Sequence, residues 1–205
     1  AEPLNQMFVL LKADILLHSQ EGKDAWTYYS GVTGMPDMQI FAQAPVLSSP
    51  STENFYQIFP QYADFAAQYG PGYAGYTFPQ FEAFTVTERF PSTGSLSAYA
   101  LGDELLRATF TEDGREGEGM FAASVVDFGS VPIAAGPPVG YQLPQADGGY
   151  YMAYNIMAVT AAKDTFVEWE GILTESLGTL EYSENFVNAT IQAGQEVVQQ
   201  AMDFS

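Results

Sequence analysis

Residues 81–128 constrain the fold more than any other stretch. FEAFTVTERF alternates apolar and polar side chains at the period of a strand, and Pro91-Ser92 breaks it. PSTGSLSAYALGDELLRATF follows and is long enough for a helix, and MFAASVVDF is again rich in strand formers. The pattern predicts strands over 81–90 and 118–128 joined through a helix over 93–110. Ser92 or Thr93 would cap that helix, and Leu96, Tyr99, Leu105 and Leu106 would face inward. Gly102-Asp103 would kink or split it.

An earlier segment has a similar order. Residues 7–17 (MFVLLKADILL) read as a strand, and Lys23 to Val32 as a short helix that brings Trp26 and Tyr29 together at i, i+3. Gly34-Met35-Pro36-Asp37 reads as a turn and 38–47 (MQIFAQAPVL) as a second strand. The expectation is an α+β chain with a ferredoxin-like β-α-β-β-α-β core over 1–130, its four strands in one antiparallel sheet and both helices on one face. Residues 48–80 interrupt it as an aromatic-rich insert: Ser51 or Thr52 caps a helix, and a Gly/Pro/Tyr loop follows. A Pro/Gly connector over 131–149 then leads to a strand–helix–helix extension over 150–205. In it a strand covers 151–160, a helix starts at Asp164 or Thr165 and ends at Gly178, and a last helix starts at Ser183.

Charge bounds the partners. The chain has 25 acids against 6 bases, a net charge of −19 in 205 residues. That surface repels phosphate backbones and anionic membranes, so nucleic acid is excluded as a partner class and basic proteins or cations are favoured. Hydrophobic residues at 47 % mean a packed core rather than disorder. The most apolar run, Met7 to Leu17, is interrupted by Lys12 and Asp14, so no transmembrane segment is expected. There are no cysteines, hence no disulfide and no thiolate metal site. Ala1-Glu2-Pro3 looks like the residues left after cleavage at a small-residue signal site, which sets the expectation of an extracytoplasmic protein. Asn188-Ala-Thr190 is a glycosylation sequon.

FTVTERFPSTGSLSAYALGDELLRATF, with a strand ending in an acidic residue, an aromatic and Pro-Ser before a helix, resembles the dimeric α/β-barrel superfamily. The resemblance covers roughly 7–47 and 81–128. It implies ferredoxin-like units pairing their sheets, in a group that includes cofactor-independent monooxygenases and haem-degrading enzymes. A second stretch, NIMAVTAAKDTFVEWEGILTESLGTLEYSENFVNATIQAG, is similar to the strand-to-helix ending of tricarboxylate-receptor-type periplasmic binding proteins, which implies a solute-binding module.

No phosphate loop, nucleophile elbow, zinc helix or calcium loop is present, and nothing in the sequence calls for a cofactor. His18 is the single candidate imidazole, as a base or ligand or as an ordinary strand-edge residue. Glu82 and Glu88, six apart on one strand, share a face and would become acid–base groups if that face were buried. Glu112, Asp113, Glu116 and Glu118 crowd one loop and offer oxygen ligands to a hard cation, or form a solvated turn. The densest signal is aromatic: Phe55, Phe59, Tyr62, Phe65, Tyr69, Tyr73, Tyr76 and Phe78. Such residues form an interface with a protein partner or a second copy, an apolar-ligand pocket, or a cap on the chain's own sheet. The functional expectation is a binding or assembly subunit, with a cofactor-independent or small-ligand enzyme and a solute-binding module as alternatives.

Overall fold

A computed structural model describes residues 4–69, 76–91, 96–140 and 142–178. The chain divides into two compact units, Ala1–Leu173 and Thr174–Ser205, and the sheets lie wholly in the first. Strand β1 (Gln6–Leu17) is followed by four helices: α1 (Gln20–Thr33), α2 (Pro36–Gln43), α3 (Thr52–Gln57) and α4 (Phe59–Tyr69). Then come β2 (Glu82–Pro91), β3 (Ala100–Glu112), β4 (Arg115–Asp127), two short strands β5 (Pro132–Ala134) and β6 (Gln145–Asp147), β7 (Tyr150–Ala162) and helix α5 (Phe166–Gly178). The long strands form one antiparallel sheet in the order β1-β7-β4-β3-β2, and β5 pairs with β6. The class is α+β, as expected. Among the described residues no helix is long and apolar enough to cross a membrane.

Two elements differ from the sequence reading, so the order formed is not β-α-β-β-α-β. Residues 38–47 are mostly helix, not strand. Pro36, read as part of a turn, instead occupies the first helical position, where its missing N–H costs nothing. Phe41 then stacks on Trp26 of α1 with ring centroids 4.5 Å apart. A strand-like remnant survives at Val46, which bridges Leu17 in parallel. Residues 100–112 are strand, not helix. Gly102, Leu106, Ala108 and Phe110 are buried at a period of two, and Asp113-Gly114 closes a tight hairpin onto β4 with φ of 51° and 72°. Gly102 does not kink a helix. A Cβ there would lie 2.5 Å from the Ser51 Cα, so the glycine lets the start of α3 rest directly on the strand.

Strand β7, expected in an extension beyond the core, is a central strand of this sheet. β7 sits between β1 and β4, with Gln6 opposite Thr160 and Gly117 opposite Ala162. Pairing aligns Phe8, Ala158, Phe121 and Leu106 on one face, and α3 and α4 cover it. The Tyr56 ring stacks on Phe84 at 5.4 Å and meets Phe121 edge-on at 5.0 Å, and Phe59 packs on Phe8 and Phe81, both at 5.5 Å. Burying each such side chain contributes about 1.5–3 kcal/mol.

Polar contacts fix the helices at defined points. The Tyr56 hydroxyl lies 2.9 Å from the Ala122 carbonyl and 2.8 Å from that of Met157, beside a slip in the β4–β7 register. Burial pushes the Tyr56 phenol well above its ordinary pKa, against the pull of these two carbonyl contacts, and keeps it a donor. Thr52 donates to the Ala123 carbonyl at 2.9 Å and accepts from the Glu104 N–H at 3.1 Å. Near the end of β1 a bulge at Ile15 (φ 57°) re-aims the strand, so that Leu16 and Leu17 are both buried and His18 follows at the sheet's end.

Candidate functional site

The end of the sheet where β1, β4 and β7 meet gathers the one histidine with two aspartates. Ser19 starts α1 by accepting the Gly22 N–H at 3.0 Å, which leaves His18 in the link between strand and helix. Its backbone N–H donates to the Gly149 carbonyl at 3.2 Å. The ring is nearly enclosed, with 13 % of its side chain exposed. Nε2 lies 3.0 Å from an Asp127 oxygen and Nδ1 3.2 Å from an Asp147 oxygen, while the Tyr151 ring covers it at 4.2 Å.

Asp147 is the hub. Oδ1 accepts the N–H groups of Val131 (3.1 Å) and Gly149 (2.8 Å), and Oδ2 accepts the Ser130 hydroxyl at 3.1 Å beside His18. Partial burial pushes its carboxyl pKa up. The bonds from the Gly149 N–H, His18, the Val131 N–H and Ser130 outweigh that and hold it below the usual carboxylate value. The Tyr151 phenol is pushed up, by burial first and then by the charges of Asp127 and Asp147. Asp127 also accepts the Gly129 N–H at 2.7 Å.

This geometry ties chain segments together rather than activating a nucleophile. Both ring nitrogens face carboxylates, and the Ser130 hydroxyl points to Asp147, so no hydroxyl faces a vacant imidazole nitrogen. The signal for it lay at the two ends of the Pro/Gly connector. Asp127-Phe-Gly129 and Asp147-Gly-Gly149 are turn-forming pairs whose carboxylates cap nearby N–H groups.

The other sequence candidates scatter. Glu82 and Glu88 stand on edge strand β2 opposite Thr111 and Arg107, hence on one face as expected. Both are exposed, whereas the acid–base expectation required that face to be buried. Three acids of the β3–β4 region go to separate partners. Glu112 accepts from the Gln6 amide (3.1 Å) and the Gln80 N–H (2.9 Å), Glu116 meets Lys163 at 3.4 Å, and Glu118 binds Arg107 at 2.6 Å. Asp113 is exposed in the hairpin turn. Among the described residues no three His, Cys, Asp or Glu are placed to hold a metal. Phe55, Phe59, Tyr62, Phe65 and Phe78 are buried in the chain's own core. Tyr69 is partly exposed and Tyr76 is 64 % exposed, while Tyr73 and Asn188 lie outside the described residues.

One set of exposed apolar groups lies around the His18 end, while others, such as Val32, Met35, Tyr76, Val167 and Ile172, stand elsewhere. Phe90 ends β2, Tyr99 (75 % exposed) and Leu101 (57 %) open β3, and Phe128 follows β4 and stacks on Tyr150. The segment that leaves and returns at this end carries Val139 (72 %) and Leu143. At the opposite end Gln6, Phe78, Glu112 and Arg115 help to line a cleft of about 180 Å³, and Arg115, Glu116, Lys163 and Asp164 line an open depression of about 610 Å³. No family model matches the chain, and no curated protein or solved structure does either.

Proposed function

We propose that the chain is a binding or assembly protein whose contact surface is the apolar end of the sheet, built from Phe90, Tyr99, Leu101 and Phe128 with Val139 and Leu143. The observation that carries this reading is that six large apolar side chains stay exposed on the strand ends and the loop at the His18 end of a sheet whose helix-covered face is well packed. The contact role thus moves from the aromatic run, of which Phe55, Phe59, Tyr62, Phe65 and Phe78 are buried in the core, to Phe90, Tyr99, Leu101, Phe128, Val139 and Leu143.

Charge selects the partner class. Asp127 and Asp147 border this surface, and the whole chain carries −19. Two copies meeting here would bring like charges within a Debye length of about 8–10 Å. A neutral or basic protein partner is therefore favoured over a second copy.

Photo-crosslinking tests the reading, with a reactive side chain placed at Leu101, Val139 or, as a control at the far end, Arg115. The expected result is one discrete adduct from positions 101 and 139, identified by mass spectrometry as a neutral or basic chain. It should be lost in a Tyr99→Ser, Leu101→Ser, Val139→Ser variant that still folds. Equal labelling from all three sites, or none, overturns the proposal, and adducts of the chain with itself replace the basic partner by a second copy.

A further inference from the structure

We propose that His18, Asp127 and Asp147 form a proton-controlled clasp, which fastens residues 129–149 to the end of the sheet and lets pH set how that segment is presented to a partner. The inference rests on the reading of this end as a contact surface and adds its regulation. Three observations meet here. The ring spans carboxylates from two elements, β4 through Asp127 and β6 through Asp147. It is nearly enclosed. The same two carboxylates hold the N–H groups of Gly129, Val131 and Gly149, at both ends of the segment.

The chemistry follows from hydrogen counting. A carboxylate only accepts, so each arm of the clasp needs a hydrogen on the nitrogen that faces it. The charged imidazolium has one on each nitrogen. The neutral ring has only one, and its bare nitrogen then sets a lone pair against a carboxylate oxygen. Losing the proton therefore costs one arm and converts an attraction into a repulsion.

The surroundings offer no substitute charge. β7 presents the uncharged phenol of Tyr151. On α1 the nearest titratable groups in sequence are Glu21, Lys23 and Asp24; the Lys23 ammonium is turned to the Gln43 carbonyl at 3.5 Å, and Asp24 accepts from Gln20 at 2.8 Å. β5 (Pro132–Ala134) contributes no charged residue. A second anchor is insensitive to pH: the Trp26 indole N–H donates to the Gly148 carbonyl at 2.9 Å. Raising the pH thus frees the 129–131 side of the segment while Gly148 stays tied to α1. Lowering it far enough protonates Asp147 and opens the clasp from the other side.

Hydrogen exchange on the full chain, corrected for intrinsic rates, tests this. Protection of the Gly129 and Val131 amides should fall about tenfold as pH is raised from about 5 to about 8. Amides in the β3–β4 pairing should not change. His18→Gln removes the pH dependence. If that variant folds poorly, Asp127→Asn serves instead, because its amide can donate to a bare nitrogen or accept from a protonated one. Equal protection of the natural chain at both pH values overturns the clasp. The contact-surface reading fails separately, through absent adducts at Leu101 and Val139, so the two failures are distinguishable.

Discussion

The two ends of the sheet are built on opposite plans. At one, β3 turns into β4 through the two-residue link Asp113-Gly114, and the acids nearby are matched: Glu112 by Gln6 and Gln80, Glu116 by Lys163, Glu118 by Arg107. At the other, a long segment over 129–149 separates β4 from β7, and three titratable side chains share one knot. The first end closes the sheet with the shortest chain available. The second spends residues on loops held by a rigid scaffold, the arrangement that usually carries binding.

Substitutions can break this contrast or sharpen it. The largest effect is expected from Phe121→Ala, which empties the centre of the aromatic core and should cost about 3–5 kcal/mol in urea denaturation. Leu101→Ser at the exposed end should stay within about 0.5 kcal/mol. A comparable loss for Leu101→Ser would mean that the exposed end is a second core. Next comes Gly149→Ala, whose Cβ would collide with the Gly129 carbonyl and crowd the His18 ring at 2.8 Å. It should cost about 1–3 kcal/mol by overpacking and loosen the clasp. Gly114→Ala at the hairpin end meets nothing within 4 Å and pays only for its φ of 72°, about 1–2 kcal/mol. Reversal of that ranking would place the tighter constraint at the hairpin.

The smallest effect concerns acid. Because the Asp147 carboxyl is held below its ordinary value in the folded chain, its contribution is full above the ordinary carboxylate range. That contribution is lost as pH falls through the folded-state value. Asp147→Asn should therefore flatten the acid limb of stability against pH, while Glu116→Gln, exposed beside Lys163, should leave the limb unchanged. Identical limbs in both variants would remove the distinction between the ends.

Much of the sheet was legible because β1, β2, β4 and β7 carry their apolar residues in runs or at a period of two. β3 was not, because Leu96, Tyr99, Leu105 and Leu106 also fit a helical spacing. What decides for strand is the Asp-Gly hairpin and the contact of Gly102 with Ser51, a tertiary fact. α2 was missed for a similar reason, since Phe41 is fixed by stacking on a distant Trp26. The aromatic run at 55–65 was visible as a helical stripe, but which surface it meets depends on Phe8, Phe81 and Phe121 from three strands. His18 was visible too. Its partners lie 109 and 129 residues away, beyond the reach of any local spacing rule.

The central position of β7 also sets an order of events during synthesis. β1 is made before every other strand of its sheet, yet Gln6 finds its strand partner only at Thr160. The β2–β3–β4 ladder can zip through short connections as it emerges, whereas β1 waits for nearly the whole of the first unit. At a translation rate of about 5–20 residues per second that delay lasts roughly ten to thirty seconds. For that interval an apolar strand edge and the aromatic helices beside it lack their final cover, which makes completion of the sheet a slow, non-local step.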